Sequence, residues 1–206
     1  MQQRTMERAH RGDESGEELA RALAGDRSAL RAVWAANRRW IAAVIIAHKP
    51  STADVDDLLQ EVAATLVAKV HTLSDPASLG PWLRTVAVNA ARLAGRKHSV
   101  AVAARTVVND EATRRSVDSL ERTADRPPVV REEAERVFAL AMGLPEEYRE
   151  PLLLRCVQEL SYRQISEILD LPETTIETRI ARARRMVREK SASQEAVMRD
   201  SARSVP

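Results

Sequence analysis

Threonine and arginine side chains recur at helical spacing between residues 160 and 187, and both residue types can contact DNA. Ile176, Ile180, Ala183 and Val187 form one apolar stripe, which predicts an amphipathic helix with its polar side outward. Arginine can pair in bidentate fashion with guanine or hold phosphate, and threonine can contact phosphate or a thymine methyl group. The outward positions are Thr175, Thr178, Arg179, Arg182, Arg184 and Arg185.

The residues before this helix predict a second, shorter helix and a tight turn. Ser161 with Gln164 forms a capping box, and Thr174 with Glu177 is expected to form another. A short turn, Asp170-Leu171-Pro172, lies between the two helices. An ordinary helical hairpin with a solvated arginine face is the alternative. The two caps, the turn and the five arginines without an acid from Arg179 to Arg188 favour a DNA-reading helix-turn-helix.

An acidic stretch lies near the other end of the chain. Residues 54 to 61 contain four acids and no base. In a helix, Val55, Leu58, Leu59, Val62 and Leu66 would be buried while Asp54, Asp57 and Glu61 share an outer face. This face predicts a basic protein partner. A metal-dependent nuclease using Asp54, Asp56, Asp57 and Glu61 is less favoured, because Asp56 points away and the motif has no Lys or His.

A basic helix is expected after the loop that ends at Gly80-Pro81, with Pro81 as its first residue. Residues 84 to 109 contain five Lys or Arg and no acid. Trp82, Leu83, Val86, Ala90 and Leu93 would lie on the apolar side, so Trp82 is expected to belong to the core. The polar positions around them are Arg84, Asn89, Arg92 and Arg96.

The chain as a whole is predicted to be all-α, with two small helical domains joined by a flexible linker. The boundaries are a disordered tail at 1–15, a first domain at 16–97, a linker at 98–130, a second domain at 131–190 and a disordered tail at 191–206. Asp26 should cap a helix that ends near Lys49-Pro50. Because Pro127-Pro128 interrupts the linker and it has no apolar stripe, the domains are expected to have separate cores and to fold alone.

Composition excludes several classes of protein. Aromatic residues make up 3% of the chain and hydrophobic residues 44%, which suits helical cores of Leu, Ile, Val and Ala. The single cysteine, Cys156, excludes an internal disulfide and is expected to be a small core residue. We expect a soluble cytoplasmic protein without a signal peptide, catalytic residues, cofactor or metal.

Three segments resemble the extracytoplasmic-function (ECF) sigma factors of bacterial RNA polymerase, which belong to the sigma-70 family. LPEEYREPLLLR (144–155), LSYRQISEIL (160–169) and TIETRIARAR (175–184) are similar to the family's C-terminal domain. DVDDLLQEV (54–62) resembles its polymerase-binding helix, and WLRTVAVNAAR (82–92) resembles its promoter-melting helix. The similarity covers about residues 19 to 97 and 131 to 190.

This resemblance implies a non-enzymatic factor that binds core RNA polymerase and promoter DNA. Members of the family are often bound by an anti-sigma factor, so such a partner is also expected. A basic coiled coil of the largest polymerase subunit would meet Asp54, Asp57, Gln60 and Glu61. The −10 element would meet Leu73, Ser78, Leu79, Trp82, Arg84, Asn89, Arg92, Arg96 and Lys97. The −35 element would meet Ser161, Tyr162, Thr174, Thr175, Thr178, Arg179, Arg182 and Arg185.

Departures from the family pattern concern mostly the −10 loop. Ala63, and Leu73 or Leu79, stand where relatives often have phenylalanine, so residues 72 to 80 contain no aromatic side chain to stack on a base. Such stacking contributes about 1–3 kcal/mol per base. Leu93 and Asp170 replace a common acid and a common glycine. The alternative to a sigma factor is a one-component helix-turn-helix regulator with a ligand-sensing N-terminal domain.

Overall fold

The computed structural model describes residues 16–101, 136–156 and 158–203, and these residues form helices joined by short turns. Every regular element in these ranges is helical, which confirms the all-α prediction. The described residues contain eight α-helices: α1 (16–23), α2 (Arg27–His48), α3 (Val55–Lys69), α4 (Leu79–Ala101), α5 (136–142), α6 (Glu146–Cys156), α7 (Tyr162–Leu169) and α8 (Glu173–Arg203). Two 3-10 turns, Val70–Thr72 and Pro76–Ser78, connect α3 to α4.

Side-chain caps fix the starts of three helices. Asp26 accepts hydrogen bonds from the Ser28 and Ala29 amides at 2.7 and 3.0 Å, and these bonds lower the pKa of its carboxyl. Asp54 caps α3 in the same way. The capping box of Ser161 and Gln164 is confirmed at α7, since each side chain bonds the other residue's amide.

The second predicted capping box is wrong. Helix α8 begins at Glu173, so Thr174 lies within its first turn instead of preceding it. The carbonyl of Pro172 accepts the first helical hydrogen bonds, from the amides of Thr175 and Ile176 at 2.9 and 3.1 Å. The turn before it is as expected, because Asp170 adopts the left-handed conformation with φ 52° that Asp tolerates better than most residues.

The N-terminal domain is a bundle in which α2, α3 and α4 pack against one another. Helix α2 is buried over its whole last third, from Trp40 to Ala47, so it forms the centre of the bundle. Val62, Leu66 and Leu83 fill the space between α3 and α4, each with almost no exposed surface. The resulting core is aliphatic, as the low aromatic content requires.

The two domains share one core, which contradicts the prediction of separate cores. Helix α6 packs on α2, and α7 packs on α4. Ile165, Ile168 and Ile176 of the C-terminal domain belong to the same buried cluster as Ile45 and Leu83. Among the described residues, a small second cluster, made of Ala141, Leu144, Leu152 and Ala183, is confined to the C-terminal domain. The apolar faces of α6 and α7 are therefore shared with the N-terminal domain, an arrangement that a linker sequence cannot reveal.

Two other expectations fail and some cannot be compared. Cys156 is exposed, because it lies in the last turn of α6 beyond the buried leucines. Helix α8 continues to Arg203, so residues 191–203 are helical rather than a disordered tail; they contain neither Gly nor Pro. The first tail (1–15) and linker residues 102–130 lie outside the described residues, while linker residues 98–101 end α4. Within the described part of the chain, no helix has the length and apolar character needed to cross a membrane.

Candidate functional site

The acidic residues of α3 form an exposed surface on the N-terminal domain. Asp57, Gln60 and Glu61 are exposed, and so is the capping residue Asp54. The opposite face of α3 is buried through Val55, Leu58, Leu59, Val62 and Leu66, as the periodicity predicts. Val67, 62% exposed, extends this surface with an apolar side chain that sequence reasoning missed. We call Asp54, Asp57, Gln60, Glu61 and Val67 the acidic face.

The acidic face does not resemble a metal centre. No group of three or more His, Cys, Asp or Glu side chains within the described ranges is arranged to hold a metal ion. One carboxylate oxygen of Asp54 accepts hydrogen bonds from the amides of Asp56 and Asp57, at 2.7 and 3.4 Å. The geometry therefore gives the nuclease alternative no support.

The loop residues assigned to the −10 element differ in accessibility. Leu79 is only 8% exposed and packs in the core, so its side chain is not accessible to DNA in this arrangement. Its position at the first turn of α4, above Leu83, explains the burial. Leu73 and Trp82 are half-buried against the core, and Ser78 is also half-buried. Asn89, by contrast, is exposed.

The arginines of α4 were also assigned to the −10 element, and two of them contact the C-terminal domain. Arg84 donates from Nε and Nη2 to the two carboxylate oxygens of Glu150, both at 2.7 Å. Arg92 donates to Glu146 at 3.1 Å. Arg96 is exposed, and Lys97 lies on the same helix. Two arginines that were predicted to contact DNA therefore pair with glutamates of α6 in this structure.

The residues assigned to the −35 element gather on one side of the helix-turn-helix. Thr174, Thr175, Thr178, Arg179 and Arg182 line an open depression of about 390 Å³. Glu147 and Tyr148, from the first turn of α6, complete its wall and were not predicted from the sequence. Three of the five predicted residues, Thr174, Thr178 and Arg182, are exposed, and the other two are half-buried.

The other three residues assigned to the −35 element do not line the depression but lie on or next to the two helices of the helix-turn-helix. Ser161 is exposed and caps α7. Tyr162 is half-buried, and the Arg155 guanidinium lies 5.2 Å from the centre of its ring. Arg185 is exposed and lies 3.5 Å from Glu189 one turn further on. A pair so exposed is weak, so Arg185 can exchange Glu189 for phosphate at little cost.

Sequence reasoning missed a polar cluster between the domains. Glu146 and Glu150 of α6 face His48, at the end of α2, and Arg84 and Arg92 of α4. His48 Nε2 lies 3.2 Å from Glu150, and Nδ1 lies 3.5 Å from Glu146. We call these five residues the interdomain clasp. Its members are 54 to 102 positions apart between the two domains, so no local pattern could connect them.

Glu150 is the centre of the interdomain clasp. It is 4% exposed, and no other charged residue in the described part of the chain is as buried. Burial alone would raise the pKa of its carboxyl, but His48 and Arg84 outweigh burial and hold that pKa below its usual value. The hydrogen bonds to Glu150 raise the pKa of Arg84 in turn. Glu150 is therefore an ionised buried carboxylate with its partners on the other domain.

Comparisons with known proteins identify both domains. Residues 33–100 match the family "Sigma-70 region 2", and residues 135–187 match "Sigma-70, region 4". The chain is 31% identical to the ECF RNA polymerase sigma factor SigM of Bacillus subtilis over 134 residues, covering 65% of this chain and 77% of SigM. It is 27% identical to the ECF RNA polymerase sigma-E factor of Haemophilus influenzae over 175 residues, covering 84% of this chain and 92% of that protein.

The fold is also found among solved structures. CnrH in complex with the cytosolic domain of CnrY matches with a TM-score of 0.56 at 22% identity, covering 87% of this chain and 96% of CnrH. The region 2 match contains the acidic face and α4, and the region 4 match contains the helix-turn-helix. Sigma factors of this kind bind RNA polymerase and promoter DNA to initiate transcription. The chain belongs to the extracytoplasmic-function sigma factors of the sigma-70 family.

Proposed function

We propose that this sigma factor divides its contacts among three surfaces. The acidic face of α3 binds a basic coiled coil of the largest polymerase subunit. The basic helix α4 and the loop before it bind the unwound −10 strand, and the depression on α8 reads the −35 duplex. The protein performs no chemical step itself. Because it acts on core polymerase, we place it in the cytoplasm.

The observation that carries this proposal is the separation of charge between two exposed surfaces. Asp57 and Glu61 are exposed on α3, while Arg182 and Arg185 are exposed on α8. Desolvating a carboxylate is costly unless a cation replaces the water, so the acidic face fits a basic partner. An arginine and threonine surface fits DNA, where phosphates supply affinity and base edges supply specificity.

An anti-sigma factor is a further proposed partner. CnrH, which shares this fold, was solved in complex with the cytosolic domain of CnrY. The exposed acidic face and the −35 depression are both surfaces that a protein partner could cover to block initiation. Co-purification of the tagged chain from its host, with identification of bound proteins by mass spectrometry, tests this assignment.

Polymerase binding is tested by charge reversal on the acidic face. The double variant Asp57→Lys/Glu61→Lys should no longer co-purify with core polymerase, because two attractive contacts become repulsive. It should also fail to support in vitro transcription from a genomic promoter library that the unchanged protein transcribes. Both substituted residues are exposed, so helicity should stay unchanged in far-UV circular dichroism.

The matched control places the same charge change elsewhere. Glu17 and Glu167 are exposed on α1 and α7, so Glu17→Lys/Glu167→Lys should bind polymerase as the unchanged protein does. Normal polymerase binding by Asp57→Lys/Glu61→Lys would contradict the assignment of the acidic face.

A further inference from the structure

Helix α2 carries an exposed arginine surface that the proposed function does not use. Arg27, Arg31, Arg38 and Arg39 are all exposed. At 3.6 residues per turn, the first three lie within about 40° of one another around the helix, and the four span about 18 Å of its length. None of these four guanidinium groups pairs with another residue in the described part of the chain. We call the four residues the arginine ridge.

The arginine ridge opposes the stability of the helix that carries it. Arg27 is the first residue of α2, where the positive end of the helix dipole disfavours a cation. Arg27 and Arg31 are four positions apart, and like charges at this spacing destabilise a helix. Helix α2 contains no acid to offset them, and the nearest one, Asp26, already caps the helix and pairs with Arg21. Local rules are broken in this way mainly where function requires it.

The residues around the arginine ridge indicate which kind of partner it fits. The buried centre of a protein interface is apolar, whereas a DNA interface is more polar and much more positively charged. Among the described residues, the large hydrophobic side chains that are exposed are Val67 and Val137, and neither lies on α2. The other exposed residues within the ridge are the small Ser28, Ala35 and Ala36. The ridge therefore offers no apolar anchor to a protein and fits DNA.

Duplex DNA fits the ridge better than an unwound strand. Proteins that capture single strands stack the bases on aromatic side chains. On α2, Trp40 is buried and Trp34 is half-buried against the core. A duplex carries one phosphate charge per about 1.7 Å of its axis, so a ridge about 18 Å long faces about ten phosphates. Arginine binds phosphate through two parallel N–H donors.

We propose that the arginine ridge holds the phosphate backbone of duplex promoter DNA, independently of base sequence, as a fourth surface beside the three described above. The proposal rests on the proposed function, because polymerase and promoter must first be brought together. The ridge precedes the buried last third of α2 and is exposed while the two domains are packed together. Phosphate contacts of this kind add affinity and fix orientation without reading bases.

The double variant Arg31→Gln/Arg38→Gln tests the ridge in holoenzyme assembled from core polymerase and the full-length chain. Fluorescence anisotropy measures its affinity for a duplex promoter fragment at several salt concentrations. Each phosphate contact contributes about 0.9 to the slope of log affinity against log salt, so the variant should lose about 2 from that slope. A fragment with scrambled −10 and −35 sequences should show the same loss. Arg31→Lys/Arg38→Lys should keep the slope, because lysine retains the charge.

The matched control removes two arginines outside the ridge. Arg21 and Arg136 are exposed, and Arg21 is already paired with Asp26, so Arg21→Gln/Arg136→Gln should leave the slope unchanged. Thermal unfolding followed by circular dichroism checks the fold of each variant. Arg31→Gln/Arg38→Gln should unfold at the same or a higher temperature, because it relieves repulsion between like charges.

The outcomes separate this proposal from the proposed function. An unchanged salt slope for folded Arg31→Gln/Arg38→Gln would overturn the proposal. Loss of co-purification with core polymerase, together with an unchanged salt slope, would also overturn it, because the ridge would then bind protein. A holoenzyme containing the unchanged chain that does not prefer the promoter to the scrambled fragment would contradict the proposed function, while the salt slopes would still decide about the ridge.

Discussion

Arg182 is the exposed arginine of the −35 depression, and its two possible roles differ in the geometry that they require. A bidentate contact with guanine needs the planar fork of arginine, whereas a phosphate contact needs only a positive charge. Arg182 lies one turn after Thr178 on α8, and both line the depression. This placement favours a base contact within the major groove.

We therefore predict that Arg182→Lys loses specificity while retaining charge. Binding to the preferred −35 sequence should weaken by about 1–3 kcal/mol, and the preference at one base pair should relax. A promoter-variant binding screen measures both effects. Arg188→Lys, on an exposed position of the same helix outside the depression, is the control. If Arg182→Lys binds every variant as the unchanged protein does, Arg182 does not read a base.

At the level of single helices, the sequence predicted most of the structure, including where several helices begin. Asp26 and Ser161 cap the helices that their positions predict, because a cap is a local contact between residues two or three apart. The predicted cap at Thr174 is wrong for an equally local reason: the carbonyl of Pro172 accepts the first helical hydrogen bonds, so α8 begins at Glu173, two residues earlier than a threonine cap would place it. Local patterns thus locate a helix reliably, while its first residue depends on competing neighbours.

The capping box at α7 gives a stability prediction. Ser161→Ala removes the acceptor for the Gln164 amide and should lower the free energy of unfolding by about 1 kcal/mol. Urea denaturation followed by circular dichroism measures the change. Ser193→Ala is the control, because Ser193 is exposed within α8 and bonds only the Glu189 carbonyl of its own helix. A loss at Ser161 no larger than that at Ser193 would show that the box does not stabilise the domain.

The arrangement of the whole molecule could not be inferred from the sequence. Periodicity shows that Ile165 and Ile168 are buried, but it cannot show that the surface burying them includes the N-terminal domain. The same limit applies to the site. The acidic face and the −35 depression depend on residues close in sequence, and were largely predicted, whereas Glu150 meets Arg84 across 66 positions. A carboxylate next to Pro151 in an ordinary amphipathic pattern carries no sign of such a partner.

The closed state, in which the two domains pack against each other, should be lost in acid and kept in mild base. Glu150 faces His48 and Arg84 from the other domain, and Glu146 and Arg149 on its own helix. Its pKa is lowered from a usual value of 4.5, so the closed state binds fewer protons than the open state. The contribution of Glu150 to closure is then complete above about pH 4.5 and is lost as the pH falls through the lowered pKa.

In small-angle scattering, the unchanged protein should stay compact from neutral pH to about pH 9, where Glu150 and Arg84 both keep their charge. Its radius of gyration should rise as the pH falls below about 4.5, where Glu150 begins to take up a proton. Glu150→Gln should lack this acid step, because its amide does not titrate in this range. Circular dichroism at each pH separates domain opening from loss of helix. An acid step of equal size in both proteins would mean that some other carboxylate controls closure.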